Sequence, residues 1–242
     1  MKNNYFFSIL SLLIFTLYAC EPQLAPEMVI EKSLEEAHGG KAAWETPKRL
    51  VYEKTTKLYD SLGNVVRIKK QTFYNILQPR FTSTAIWVED NVEKRIMYDG
   101  KETFVFENDK PIKDASAVKA AYKEIMAAQY VLWQPYKLYS DKATLESQGI
   151  VQLEDKTSAY RVQVTYPNSD VIWWYYFDIN TFVLKENLIQ HNETTYSQIV
   201  NIEQEENTGL RLHKYRKSFK VDVVKDHKYL RAEYWYKIIS LE

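Results

Sequence analysis

Histidines, acidic residues and one cysteine are the side chains of this sequence that could support acid–base, nucleophilic or metal chemistry. The chain has four histidines, which lie far apart in the sequence: His38, His191, His213 and His227. It contains no nucleophile elbow, zinc-protease motif, phosphate-binding loop or calcium loop. The acidic pairs Asp222 with Asp226 and Glu205 with Glu206 are typical of solvated turns. The sequence therefore predicts no catalytic residue, no metal ligand and no cofactor. A hydrolase or a metal site remains an alternative only if the fold brings such groups together.

The only cysteine, Cys20, follows a segment that is typical of an export signal. Lys2 precedes an uncharged stretch over residues 5–18. This stretch is shorter than the about 20 apolar residues of a membrane-spanning helix, and it fits the apolar region of a signal peptide. The tetrapeptide Leu17-Tyr18-Ala19-Cys20 resembles the lipobox of bacterial lipoproteins, with Tyr18 bulkier than the usual residue. The resemblance implies a signal peptide over residues 1–19, a lipidated tether over 20–26 and one folded domain over 27–242. A plain secretory signal is the alternative.

Most of the folded part is predicted to be β-strand. Aromatic residues make up 14% of the chain, and the 19 tyrosines suit a pleated, half-buried surface. Runs with a period of two, separated by short turns, predict five strands at 49–60, 65–75, 80–89, 92–99 and 102–107. Six further runs predict strands at 160–166, 171–177, 182–190, 195–203, 210–219 and 229–240. Short connections imply antiparallel pairing, because parallel strands would need crossovers. We expect a single antiparallel sheet of about 10–11 strands.

Two helices interrupt or precede these strands. A helix is predicted to begin at Pro26 and to end at Gly39, with a short helical turn over residues 41–44. A longer amphipathic helix is predicted between Asp114 and Trp133, with Asp114 or Ser116 as its N-cap. The aromatic segment 133–139 is predicted to be irregular. The fold class is therefore mainly β (α+β), with an N-terminal helix and one mid-chain helix covering the concave face of a curved sheet.

The predicted sheet carries more aromatic side chains than one helix is expected to cover. A sheet of ten long strands must either curl around its surplus apolar surface or leave that surface as a groove. Large apolar cavities lined by aromatic rings suit lipids or acyl chains. The candidate ligand-binding residues are Trp87, Trp133, Tyr136, Trp173, Tyr175, Phe177 and Trp235. Two alternatives stay open: the rings are core residues, or they stack against sugars.

Three segments resemble known families. Residues 176–184, which run from Tyr176 to Leu184, resemble the aromatic-Asp-x-x-Thr-x-x-Leu strand-turn-strand of the carriers and receptors that move lipoproteins across the periplasm. Ala37-His38-Gly39-Gly40 and Leu132-Trp133-Gln134-Pro135 resemble an uncharacterised family of envelope lipoproteins with the same barrel. The resemblance spans most of residues 28–240. It implies a half-open antiparallel barrel lidded by helices, an interior that takes acyl chains, and no catalytic residues.

Composition and resemblance together indicate a function class. The 32 basic residues balance 32 acidic ones, which argues against a nucleic-acid partner, because such proteins carry a basic excess. We expect a non-enzymatic protein anchored by Cys20 to a membrane of the cell envelope, in the outer membrane on its periplasmic or surface side. Its predicted ligand is a lipid or another amphiphile, bound as carrier, receptor or sensor. The alternatives are an interaction protein with a filled core and a glycan-binding surface lipoprotein.

Overall fold

The computed structural model describes residues 24–140, 142–167 and 169–242. The predicted signal peptide over residues 1–19 and the lipidation site Cys20 lie outside the described residues. Within those described ranges, all thirteen strands belong to one antiparallel sheet. None of the helices in the described part has the length and apolar character needed to cross a membrane. The predicted fold class, a mainly β chain with one curved antiparallel sheet and few helices, is confirmed.

Strands that are consecutive in the sequence lie side by side in each half of the sheet. Their bounds are β1 (Arg49–Tyr59), β2 (Val65–Ile76), β3 (Thr82–Glu89), β4 (Val92–Tyr98), β5 (Thr103–Glu107), β6 (Lys110–Ile112), β7 (Thr144–Gln152), β8 (Ser158–Thr165), β9 (Ile172–Asp178), β10 (Leu184–Gln190), β11 (Thr195–Gln204), β12 (His213–Asp222) and β13 (His227–Leu241). The strand order is β6-β5-β4-β3-β2-β1-β13-β12-β11-β10-β9-β8-β7. Pairing of β1 with β13 joins the two halves, with Lys54 opposite Tyr236. The edge strands β6 and β7 do not pair with each other, so the barrel stays half open.

In the described part of the chain, four α-helices lie near the sheet. They are α1 (Pro26–Lys32), continued by a π-helical turn over Ser33–Ala37, then α2 (Lys41–Glu45), α3 (Ala115–Leu132) and α4 (Tyr136–Ser140). Gly39 ends the first helical segment with a φ of 81°. A Cβ atom at this position would lie 2.2 Å from the carbonyl oxygen of Gly209. Only glycine fits here, because both the left-handed backbone and the close contact exclude a side chain.

The predicted mid-chain helix and its N-cap are confirmed. Asp114 has an extended backbone, and its Oδ1 accepts a hydrogen bond of 2.7 Å from the backbone N–H of Ala117. This bond satisfies one of the unpaired donors of the first turn. Ser116, the alternative cap, instead donates its hydroxyl to Asp114. At the other end, the N–H of Trp133 still donates to the carbonyl of Gln129.

The structure corrects the sequence prediction at three segments. Lys110–Ile112, which is not predicted as a strand, forms the short edge strand β6, and Thr144–Gln152, also not predicted, forms β7 at the other edge. Thirteen strands therefore replace the predicted 10–11. Part of the segment 133–139, which is predicted to be irregular, lies in the helix α4 (Tyr136–Ser140). The missed helix and the strand β6 are short. Both missed strands lie at an edge of the sheet and bury little, so their sequences need no alternation of apolar residues.

Two apolar clusters hold the helices against one face of the sheet, which we call the inner face. In the first cluster, Ile125 and Leu132 of α3 pack with Tyr52 and Phe73 of the first half-sheet. In the second, Ile30 of α1 packs with strand residues of β8–β10. The two clusters lie at different parts of the inner face, and they fix α3 and α1 in place by burial of apolar surface.

Candidate ligand-binding clefts beside helix α3

An apolar cleft separates the second half of α3 from strands β8 and β9. We call it the β9 cleft, and its volume is about 550 Å³. It is lined by Met126, Ala127, Gln129, Tyr130, Val131, Lys137, Tyr166, Ser169, Val171 and Trp173. Most of the lining surface is carbon, as in sites that take apolar ligands. Cavities of this size fall in the range of small-molecule sites.

A second cleft opens on the other side of the same helix end. We call it the α2 cleft, and its volume is about 390 Å³. Its lining residues are Trp44, Glu45, Pro47, Leu77, Gln78, Phe81, Gln129, Trp133, Tyr136 and Lys137. Gln129 and Lys137 line both clefts. These two side chains therefore lie at the junction of the two clefts, near the carboxyl end of α3.

Stacked aromatic rings build the wall of the α2 cleft. Trp44 meets Trp133 edge to face at 5.1 Å between ring centres, and it stacks on Tyr136 with an interplanar angle of 2°. The indole N–H of Trp44 donates to the carbonyl of His38 at 2.6 Å. Tyr136 donates its hydroxyl to Glu45 at 3.1 Å, and burial together with this carboxylate raises the pKa of Tyr136. Each ring is held by its neighbours, so the wall is preorganised.

Tyrosine hydroxyls connect the β9 cleft to the core below it. Tyr130 of α3 shares hydrogen bonds with the hydroxyls of Tyr166 at 2.5 Å and of Tyr175 at 3.0 Å. The side-chain amide of Gln134 donates to Tyr175 at 3.0 Å. Trp173 stacks on Tyr175 with an interplanar angle of 5°. These polar contacts tie α3 to β8 and β9 along the bottom of an otherwise apolar cleft.

Three of the seven predicted ligand-binding residues line these clefts. Trp133 and Tyr136 line the α2 cleft, and Trp173 lines the β9 cleft. Tyr175 and Phe177 lie beneath them, fully buried in the core. The sequence pattern places Trp173, Tyr175 and Phe177 on one strand. Helices α1 and α4 pack over Tyr175 and Phe177, so no open space remains above these two rings.

The other two predicted residues lie elsewhere. Trp87 is buried beneath the first half of α3, where the ammonium group of Lys69 lies 3.9 Å from its ring centre. Trp235 is 37% exposed and stacks on Tyr215, on the face of β13 opposite to buried Tyr236. Successive side chains of a strand point to opposite faces, so Trp235 belongs to the outer face of the sheet. Trp87 belongs to the same buried cluster as Trp44 and Trp133 but lines neither cleft, and Trp235 is separated from both clefts by the sheet.

Sequence reasoning missed the helical wall of the β9 cleft. Met126 and Val131 are partly buried and Ala127 is exposed, and they lie beside the buried stripe that includes Ile125 and Leu132. A second apolar stripe at helical spacing is the signal that would have revealed them. Lys137 could not be placed, because the helix α4 that carries it was not predicted.

Charged and amide side chains also occupy the inner face. Buried Arg216 donates to the amide oxygens of Asn201 at 2.8 Å and of Asn187 at 3.0 Å. Lys69 forms an ion pair of 2.6 Å with Glu124 of α3. Burial lowers the pKa of Lys69. The inner face therefore does not enclose a continuous apolar space, and the apolar surface that is open to a ligand lies at the helix–sheet clefts.

Two histidines are buried in the core. His38, at the end of the first helical segment, and His213, at the start of β12, are completely buried. Burial lowers the pKa of His38 to about 4 and that of His213 well below its ordinary value. Both rings are therefore neutral at pH 7. In the described ranges, no group of three or more His, Cys, Asp or Glu side chains is arranged to hold a metal ion.

Comparison with known proteins identifies the fold. No protein-family model and no curated protein matches the chain. The chain is similar in structure to a DUF1329 family protein from Desulfovibrio piger, with 8% identity, a TM-score of 0.56, and coverage of 88% of this chain and 91% of that one. It is also similar to a LolA superfamily protein from Nitrosomonas europaea, with 9% identity, a TM-score of 0.52, and coverage of 89% and 92%. These similarities concern the fold, and they confirm the half-open barrel that the sequence resemblance implies.

Proposed function

We propose that this protein is a non-enzymatic lipoprotein of the cell envelope that binds an amphiphilic ligand at the end of helix α3. Its acyl chain lies in the β9 cleft and extends toward the α2 cleft. The observation that carries the proposal is the β9 cleft itself, a mostly apolar space of about 550 Å³ between Val131 and Trp173. The fold, shared with a LolA superfamily protein, supports the proposal, as does the lipobox resemblance at Cys20.

Burial of the acyl chain supplies the binding free energy. Each methylene group removed from water contributes about 0.8 kcal/mol. Met126, Val131 and Trp173 offer aliphatic and aromatic surface to such a chain. Gln129 and Lys137 line both clefts and present polar groups beside the apolar surface. A polar headgroup at this junction keeps its hydrogen bonds while the chain is buried, which is the arrangement that an amphiphile requires.

Lipid analysis tests the proposal directly. The full chain is purified from membranes, its bound lipids are extracted and identified by mass spectrometry, and a fluorescent fatty acid is titrated against the stripped protein. We expect an acyl-containing lipid and saturable binding. Ala127→Trp places an indole in the β9 cleft, where Ala127 is exposed, and we expect it to weaken fatty-acid binding about tenfold or more, because it fills the apolar space.

A tryptophan elsewhere on the same helix is the matched control. Ala115 is exposed in the first turn of α3, away from both clefts, so Ala115→Trp is expected to bind as the unmodified chain does. If no lipid is recovered and the fatty acid does not bind the unmodified chain, the proposal is wrong. Equal binding by both variants would move the ligand away from the β9 cleft.

The filled core supports a second candidate function, that of an interaction protein without a lipid ligand. Tyr175 and Phe177 are fully buried, and Arg216 occupies the neighbouring inner face with its amide partners. On this hypothesis the apolar clefts are covered by a protein partner. It predicts that the stripped chain binds no fatty acid, and that Ala127→Trp disrupts a protein complex recovered from the envelope.

A further inference from the structure

A separate pocket lies on the outer face of the sheet, under the turn between β7 and β8. We call it the β7–β8 pocket, and its volume is about 290 Å³. Its lining residues are Leu153, Glu154, Asp155, Lys185, Glu186, Val200, Ile202, Lys217 and Phe219. Glu186 lies opposite Val200 in the register of β10 and β11, while the next residue, Asn187, contacts Arg216 on the inner face. The pocket is therefore on the other side of the sheet from the proposed lipid clefts, and it goes beyond the proposed function.

Two ion pairs hold the turn over this pocket. Asp155 Oδ2 lies 3.0 Å from Lys185 Nζ on β10, and Glu154 Oε1 lies 2.5 Å from Lys228 Nζ on β13. The ammonium group of Lys228 also lies 4.8 Å from the ring centre of Phe219. The turn thus spans from β10 to β13, and it converts an open sheet surface into a pocket.

A buried carboxylate lies among the apolar side chains of the pocket. Glu186 is 8% exposed, and its Oε2 accepts a hydrogen bond of 3.0 Å from the amide of Gln198. Lys185 beside it is paired with Asp155. No ion pair within the described part of the chain includes Glu186; Lys228 acts on its charge only at longer range. Burial raises the pKa of Glu186, because the charged form loses hydration that Gln198 alone does not replace.

The chemistry of these groups specifies a ligand class. A buried carboxylate gains most from a hydrogen-bond donor that carries a positive charge. Leu153, Ile202 and Phe219 offer apolar surface around it, which favours an organic body over a hydrated inorganic cation. The volume corresponds to that of about ten water molecules at ~30 Å³ each, enough for a short chain or one ring.

We propose that the β7–β8 pocket binds a small organic ammonium ion, whose apolar body packs against Leu153, Ile202 and Phe219 and whose N–H groups donate to Glu186. The ammonium group supplies the direct ion-pair partner that Glu186 lacks among the described residues, because the lysines that line the pocket, Lys185 and Lys217, form no ion pair with it.

Three six-carbon probes that differ only in the head group test the charge requirement. Isothermal titration calorimetry measures binding of n-hexylamine, 1-hexanol and hexanoate to the full chain at neutral pH in one buffer. We expect n-hexylamine to bind about tenfold more tightly than 1-hexanol, and hexanoate to bind least, because only the amine pairs with the carboxylate. Equal affinity for the amine and the alcohol, or no binding of the amine, would overturn the proposal.

Two glutamine variants assign the site to Glu186. Glu186→Gln removes the charge, keeps the shape, and is expected to weaken n-hexylamine binding about tenfold or more while leaving 1-hexanol binding unchanged. Glu203→Gln is the matched control, since Glu203 also lies on this side of β11 but is half exposed and paired with Lys214. An equal loss in both variants would show a general attraction of amines to acidic surface, and the proposal would then be wrong.

Discussion

The indole of Trp44 meets the indole of Trp133 edge to face, with 5.1 Å between ring centres and an interplanar angle of 80°. This contact joins α2, which precedes the first strand, to the carboxyl end of α3, which follows the sixth. Trp44 also holds the carbonyl of His38 through its indole N–H. One side chain therefore couples the N-terminal helices to the mid-chain helix, and the α2 cleft depends on it.

Replacement of Trp44 tests this coupling. Trp44 is almost completely buried, so Trp44→Ala is expected to lower the free energy of unfolding by about 3–5 kcal/mol, through lost burial and the cavity left behind. Urea denaturation followed by circular dichroism measures the change. Trp235→Ala is the matched control on the exposed outer face, and it should cost about 1 kcal/mol. Similar costs for the two variants would contradict the proposed role of Trp44.

Buried His38 predicts a loss of stability in mildly acidic solution. Its pKa is lowered to about 4 by burial, against about 6.5 in the unfolded chain. Between these values the unfolded state binds more protons, so stability is full above about pH 6.5, falls as pH decreases, and levels off near pH 4. The shift corresponds to about 3 kcal/mol. Burial also lowers the pKa of His213, which therefore acts in the same direction.

Urea midpoints measured across this pH range test the histidine effect. His38→Gln cannot be protonated, so the slope of stability against pH between about 4 and 6.5 should become shallower. His227 is exposed, and His227→Gln should retain the slope of the unmodified chain. An unchanged slope in His38→Gln would show that His38 does not contribute to the acid sensitivity.

The ion pair between Lys69 and Glu124 is expected to hold α3 on the sheet. Glu124 Oε1 lies 2.6 Å from Lys69 Nζ and also accepts from the amide of Gln71 at 2.8 Å. Glu124→Leu leaves the half-buried ammonium without its partner, and we expect a cost of about 1–3 kcal/mol, less than for a fully buried pair because Glu124 is partly exposed. Adding Lys69→Met should recover most of this cost.

A double-mutant cycle in urea measures this coupling. The exposed pair of Arg95 with Asp109 is the control, and its loss in Asp109→Ala should cost less than about 1 kcal/mol. If the two single replacements at Lys69 and Glu124 simply add, the pair makes no specific contribution to holding α3.

The proposed lipidation of Cys20 predicts how the protein fractionates. Cys20→Ala removes the thiol that we propose to be lipidated, so we expect loss of labelled palmitate and movement from the membrane to the soluble fraction, because two or three acyl chains are needed for stable anchoring. Tyr18→Ala restores a small residue before the cleavage site and should remain lipidated. Retention of Cys20→Ala in the membrane fraction, with label, would show that the anchor lies elsewhere.

Much of the fold could be predicted because local sequence decides it. Eleven of the thirteen strands in the described ranges carry their own alternation of apolar residues or their own turn residues. The turn after β9 is an example, because the carboxylate of Asp178 accepts a hydrogen bond from the backbone N–H of Thr181. The N-cap Asp114 and the stop at Gly39 are also local features. The edge strands β6 and β7 were missed because an edge strand buries little and needs no alternating pattern.

Only the tertiary structure decided which aromatic rings could meet a ligand. Tyr234, Trp235 and Tyr236 are consecutive, and their sequence gives no sign of which face each one occupies. The structure buries Tyr236 and exposes Trp235, because the register of β13 with β1 and β12 sets the face of every residue. It also fills the space above Tyr175 and Phe177 with helices, and it builds the clefts from α3, α4 and Lys137. Periodicity is a property of each segment, whereas open space depends on how the segments pack against one another.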